Sequence, residues 1–253
     1  EIDLVVVGGG SAAFAAAIRA ADLGASAAII ESGALGGTCV NVGCVPSKTL
    51  IRAAEVFHRA GHHAFAGIRA KLESPDFRAV VKQKDELVAE LQQAKYWNVL
   101  AAYPSIMLIK GRASFRADGT LEVDGKPIRA RKVVLAMGAS SWAPPIPGLD
   151  KTPYLTSTEA LSLQELPKTL IAIGGSAVGL ELAQFYARMG TKVTVLEALP
   201  RIVPAEDADI GEALAAYLRE EGMAVHAGVT VRQVSGAPGA YKVEAEVGGE
   251  RRV

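Results

Sequence analysis

Two glycine turns, each between a β-branched strand and an apolar helix and each followed by a strand closing on a glutamate, predict an α/β chain. The class they point to is two Rossmann-like dinucleotide-binding domains in succession. The first unit runs Ile2–Val7, Gly8-Gly9-Gly10-Ser11-Ala12-Ala13, a helix over Phe14 to Leu23, and a strand Ser26–Ile30 ending at Glu31. The second runs Thr169–Ile173, Gly174-Gly175-Ser176-Ala177-Val178-Gly179, a helix over Leu180 to Arg188, and a strand Lys192–Leu196 ending at Glu197. Length agrees, since 253 residues that are 50% hydrophobic suffice for two medium domains.

Each part of these units has a physical reason. Glycines allow the tight turn and let a pyrophosphate approach the unpaired N–H groups at the helix start. Ala13 is the last small position of the first turn, and Glu31 follows eighteen residues later, placed to accept hydrogen bonds from ribose hydroxyls. Ser176 stands where the middle glycine usually falls, so the second signal is weaker. Glu197 favours free ribose hydroxyls over a 2′-phosphate and hence NADH over NADPH, while Arg201 close by works against that inference.

Between the units, a helix is expected from Thr38 toward His58, carrying both cysteines. Pro75 to Val99 interleaves charges with Val80, Leu87, Leu91 and Val99, the pattern of a long amphipathic helix, with Tyr96 and Trp97 read as packing residues. Ser105 to Lys132 breaks into short strands at Asp118-Gly119 and Asp124-Gly125, a β-meander holding Gly111-Arg112-Ala113. A buried strand Val133–Ala136 then reaches Met137-Gly138-Ala139. The run Ala143-Pro144-Pro145-Ile146-Pro147-Gly148 continues neither sheet nor helix and is read as a linker. The expected domains are therefore 1–148 and 149–253. Beyond Glu197, a helix over Ile210–Glu221 and short strands over Val225–Val253 complete the reading.

The stretch Gly36 to Lys48, GGTCVNVGCVPSK, contains the only two cysteines, Cys39 and Cys44. At a helix start the unpaired N–H groups and the dipole stabilise a thiolate, which is both a nucleophile and a soft-metal ligand. Glycines 36, 37 and 43 allow close backbone approach, Pro46 suits a first helical turn, and Lys48 adds a cation. A bare C-x4-C pair equally fits two buried small hydrophobes, whereas zinc would want C-x2-C spacing and two further ligands. The flanking residues favour a redox pair. His58 and His62 stand at metal-pair spacing but lack an acidic third ligand, and are read as solvated.

Composition narrows the partners. Lys+Arg 27 balances Asp+Glu 27, which argues against nucleic acid or an anionic membrane surface. No apolar run is long enough to span a bilayer, and two cysteines do not make a disulfide scaffold, so a cytoplasmic enzyme is expected.

Taken together, GGGSAA with Glu31, GGTCVNVGCVPSK, Ala136-Met137-Gly138-Ala139, and GGSAVG with Glu197 resemble the flavoprotein disulfide reductases, a family that includes the lipoamide dehydrogenases, glutathione reductases and mercuric reductases. NVGCVPSKTLIRAAE, Ala94-Lys95-Tyr96 and IPGLDKTPYLTSTEAL lean toward the mercuric reductase branch. The resemblance implies FAD contacts at Gly8, Gly10, Ser11, Ala12, Ala13, Glu31, Gly33, Gly37, Thr38, Lys48, Ala113 and Gly138. It implies NADH or NADPH contacts at Gly174, Ser176, Val178, Glu181 and Glu197. Cys44 would lie against the flavin and Cys39 would exchange with substrate, both able to ligate Hg²⁺ delivered as a thiol complex. Lys48 and Glu181 would form a charge pair near flavin N5, and Tyr154 is either an active-site tyrosine or a packing residue of the linker.

The branch implies reduction of Hg²⁺ to Hg⁰ in mercury detoxification, with a dihydrolipoamide dehydrogenase or an inactive FAD- or metal-binding fragment as alternatives. Met137 departs from the family's usual threonine. The resemblance also leads one to expect a further nucleotide-domain strand, a second FAD segment and a dimerisation domain beyond Val253, in a chain that forms a homodimer.

Overall fold

A computed structural model describes residues 1–252. The chain divides into two compact units, one of residues 1–46 and 83–140, the other of residues 47–82 and 141–253.

The first unit is built on a four-stranded parallel sheet. Its strands are β1 (Ile2–Val7), β2 (Ala27–Glu31), β3 (Ile106–Lys110) and β7 (Ala130–Leu135), in the order β3-β2-β1-β7. Register is continuous from Leu4 opposite Ala27 to Val7 opposite Ile30. Alternate residues of β1 and β2 serve opposite faces. Val6 and Ile29 pack with Ala13, Phe14 and Ala17 of α1 (Ser11–Asp22). Val5, Val7, Ala28 and Ile30 pack instead with Leu121 and Val123. Both faces are covered, which is why the two strands are apolar throughout rather than alternating. The second layer is an antiparallel meander of β4 (Ala113–Phe115), β5 (Leu121–Val123) and β6 (Lys126–Pro127).

The cysteine stretch forms two helices rather than the one expected. α2 (Gly37–Asn41) carries Cys39, and α3 (Cys44–Gly61) begins at Cys44. Val42 at φ −142° ends α2, and Gly43 lies between it and α3. A Cβ on Gly43 would lie 2.8 Å from the Thr38 carbonyl oxygen, so the helix is broken by a backbone approach open only to glycine. The long amphipathic helix is likewise interrupted, into α4 (Phe77–Gln92), a π-turn at Gln93–Trp97, and α5 (Asn98–Ala102). The strand expected at Val133–Ala136 begins earlier, at Ala130, because β7 pairs along β1 from Ile2 onward.

In the second unit, β8 (Thr169–Ile173), β9 (Lys192–Leu196) and β10 (Ala224–His226) form a parallel sheet in the order β10-β9-β8. α7 (Ala177–Met189) and α8 (Ala208–Glu220) pack on it around Phe185, Tyr186, Val193, Val195 and Leu218. Burying a side chain such as Phe185 stabilises by about 1.5–3 kcal/mol. A short helix, α6 (Ser157–Ala160), is closed by a capping box between Thr156 and Glu159. β11 (Thr230–Ser235), β12 (Lys242–Val247) and β13 (Glu250–Arg252) make a separate antiparallel sheet. The proline-rich run is tied to that sheet, since the Val234 N–H donates to the Pro147 carbonyl at 2.9 Å.

Candidate functional site

In the first unit the glycine turn is packed as closely as backbone allows. Gly8 sits at φ +114°, and a Cβ there would lie 2.2 Å from the Ala136 carbonyl oxygen. Gly37, at φ +59°, would bring a Cβ within 2.8 Å of Gly10 Cα, so the cysteine loop passes directly over the turn. The Gly36 N–H donates to the Gly9 carbonyl at 3.0 Å, holding the two segments together. α1 is preceded by Gly10 at its N-cap, with no side-chain cap and no acidic residue in its first turn. Helix-start N–H donors that no side chain caps suit an anion.

Glu31, at the end of β2, accepts the Gly33 N–H at 2.6 Å, and a Cβ on Gly9 would meet its other oxygen at 2.7 Å. The carboxylate is thus folded over the turn, where a ribose belongs if a pyrophosphate sits on α1. Gly138, at φ +70°, follows closely on the Ala136 carbonyl that faces Gly8. Ala113 opens β4, close in sequence to Gly111, whose N–H donates to the Glu31 carbonyl. Ala12 and Thr38 are exposed and Ala13 is buried.

The loop before Cys39 is held by two residues that sequence reasoning passed over. Asn41 Nδ2 donates to the Leu35 carbonyl at 2.9 Å, and Gln92 Nε2 reaches the same carbonyl at 2.8 Å and Asn41 Oδ1 at 3.3 Å. Their signal was faint, because isolated amides carry no spacing rule. Ser11 and Tyr96 meet as well, their hydroxyl oxygens 3.1 Å apart.

Both cysteines are exposed, and no disulfide joins them. A hydrogen bond to the Cys44 side chain pushes the Cys39 thiol up, assisted by burial and by the Cys44 charge, against a lowering hydrogen bond to the Cys44 backbone. The pair is in contact, with Cys44 at the first position of an 18-residue helix. Two sulfurs so placed can close into a disulfide or share one soft cation.

In the second unit Gly174, at φ +110°, donates its N–H to the Leu196 carbonyl at 2.8 Å. α7 is preceded by Ser176 at its N-cap, with no side-chain cap hydrogen bond and no acidic residue in its first turn. Glu197 is 7% exposed and accepts the Gly175 N–H at 2.6 Å and the Leu199 N–H at 2.8 Å, one on each oxygen. Each oxygen has a second lone pair left for a ribose hydroxyl. Arg201 turns to the Pro204 and Glu206 carbonyls at 3.3 and 3.4 Å. Val178 is exposed in the first turn of α7. Lys48 and Glu181, far apart in sequence, form an ion pair at 2.5 Å. Tyr154 is exposed in the irregular stretch before α6.

His58 and His62 stack with ring centroids 4.2 Å apart. Burial and then the charge of His62 hold His58 below the ordinary histidine range. Among the described residues, no three His, Cys, Asp or Glu side chains are gathered to hold a metal ion, and no helix is long and apolar enough to cross a membrane.

The family profile for pyridine nucleotide-disulphide oxidoreductases matches residues 2–253. A mercuric reductase from Bacillus cereus is 42% identical over 253 residues, covering 100% of this chain and 40% of the relative. One from Staphylococcus aureus is 40% identical, covering 100% of this chain and 46% of the relative. Among solved structures, an HOCl-induced flavoprotein disulfide reductase, RclA from Escherichia coli, superposes with a TM-score of 0.82 at 33% identity, over 99% of this chain and 54% of that one. The chain therefore spans about half the length of the proteins it matches.

Proposed function

Since the chain belongs to the pyridine nucleotide-disulphide oxidoreductase family, we propose that it is part of a flavin-dependent mercury(II) reductase. The observation that carries this reading is the contact between Cys39 and Cys44, in a chain whose mercuric reductase relatives are similar over its full length. The uncapped start of α1, the Gly10–Gly37 backbone approach and the Glu31 carboxylate fit a flavin dinucleotide. Bound there, FAD supplies two-electron transfer between a nicotinamide hydride donor and a dithiol.

The chain's own residues bind, orient and hold protons. The α1 N–H groups receive the pyrophosphate, and Glu31 receives ribose hydroxyls. The start of α7 and Glu197 do the same for NADH or NADPH. Lys48, paired with Glu181, offers an ammonium whose charge is already partly balanced. Hg²⁺ is soft and prefers two thiolates, so Cys39 and Cys44 displace the carrier thiols and hold the ion for reduction. Two electrons pass to the metal in the balanced sum Hg(SR)2 + NAD(P)H → Hg⁰ + NAD(P)⁺ + 2 RS⁻ + H⁺. Disulfide reduction, the activity for which the Escherichia coli protein is named, would need a general acid as well.

The test is anaerobic titration of the complete chain with NADH and with NADPH, with Hg²⁺ in excess thiol or with lipoamide. Mercury-dependent nucleotide oxidation with release of volatile Hg⁰, lost in Cys39→Ala and Cys44→Ala, is the expected result. Oxidation with lipoamide alone would overturn the mercury assignment and leave the dithiol chemistry standing.

A further inference from the structure

A wider π-turn at Gln93–Trp97 stands between α4 and α5. Tyr96 lies in that turn, only 5% exposed, with its ring edge-on to Phe14 at 4.8 Å. A phenylalanine would satisfy that packing. The phenolic hydroxyl instead reaches the Ser11 hydroxyl at 3.1 Å, at the first residue of α1. Ser11 is exposed and stands at a helix start that no side chain caps.

We propose that Tyr96 is a positioning residue for dinucleotide binding: it donates to Ser11 Oγ and so turns the Ser11 proton toward the pyrophosphate. This rests on reading α1 as the phosphate-binding helix. The direction of the relay comes from proton counting. A phosphate oxygen only accepts, so a serine that bonds to it must donate its single proton there. Ser11 then has only lone pairs to offer Tyr96, and Tyr96 has to be the donor. Without an anion, either hydroxyl can donate to the other. Tyr96 touches no phosphate itself. It fixes one of the two directions in advance, and the bonds of such a chain strengthen one another.

The experiment uses the complete chain freed of flavin and reads FAD binding by flavin fluorescence, together with the ³¹P resonances of bound FAD. Tyr96→Phe keeps the ring and its contact with Phe14. It should weaken FAD binding about five- to tenfold, the worth of one hydrogen bond to a charged ligand's partner, and shift the pyrophosphate resonances. Ser11→Ala should cost a similar factor, and adding Tyr96→Phe to it should change neither readout further. Equal losses in both backgrounds would make Tyr96 a packing residue only and overturn the relay. A Tyr96→Phe protein with the parent's affinity and ³¹P spectrum would do so too. If the parent chain binds no FAD, the dinucleotide reading fails and the relay falls with it, an outcome distinct from a parent that binds and a variant that matches it.

Discussion

The Cys39 thiol keeps its proton to higher pH than an isolated cysteine, first because it is hydrogen-bonded to the Cys44 side chain and then because the neighbouring protein partly desolvates it. An acid whose folded pKa is raised stabilises the fold fully below its unfolded value, here about 9.0, and loses that contribution as pH rises through the raised value. In the reduced protein, ultraviolet thiolate absorbance should place the Cys39 step above 9.0, and Cys44→Ala should bring it down. A Cys39 step that ignores the Cys44 substitution would sink this account. The glycines give a second prediction. Gly8→Ala combines positive φ with a 2.2 Å clash against backbone, and should cost about 2–4 kcal/mol in denaturant unfolding. Gly24→Ala, at φ +79° with nothing within 4 Å, should cost only about 1 kcal/mol. Gly8 was legible from the strand–turn–helix pattern. Asn41 and Gln92 were not, because what makes them useful is a shared carbonyl across a long sequence separation.

Helix pairing carries the clearest pH dependence. At the C-terminal ends of α7 and α8, Arg188 holds Glu221 through two bonds at 2.6 and 2.8 Å, and Gln184 Nε2 donates to both carboxylate oxygens at 3.0 and 3.1 Å. Burial pushes the Glu221 carboxyl up, but the hydrogen bond and charge of Arg188, with help from Gln184, hold it below the ordinary 4.5. A depressed carboxylate stabilises fully above its unfolded pKa and loses that contribution as pH falls through the folded one. Glu221→Gln should therefore cost about 1–2 kcal/mol at neutral pH and converge on the parent below pH 4.5, as followed by urea unfolding across that range. Parallel curves at every pH would contradict it. The helices themselves were legible from apolar period and small residues. The break at Gly43 was not, since a glycine within a cysteine motif signals close approach without saying to what. Nor was the π-turn, because a turn one residue wider leaves no mark in composition.

At the scale of the whole chain, the two strand–turn–helix units were legible because a parallel sheet with helices packed on it demands apolar strands and small-residue turns. Their surroundings were less so. The compact second unit takes in residues 47–82, from between the two glycine-turn segments, and Leu50, Ala54, Phe77 and Val81 contribute to its core. Amphipathic period shows that a helix has a partner face without showing whose. Among the described residues, β7 and β8 are outer strands of their parallel sheets and hold apolar side chains in solvent. On β7, Val134 and Leu135 are 38% and 56% exposed, and on β8 Ile171 and Ile173 are 41% and 39% exposed. An exposed apolar edge is a template for pairing with another chain. Residues 1–253 expressed alone should therefore bind anilinonaphthalene sulfonate and self-associate with rising concentration in sedimentation velocity. Leu135→Lys together with Ile173→Lys should suppress both, since a lysine on an edge strand opposes pairing while its stem stays compatible with the strand. If the doubly substituted chain associates as readily as the parent, the sheet edges are not the contact. If the parent stays monomeric and dye-free at all concentrations, the exposed edge strands do not govern how the chain behaves in solution.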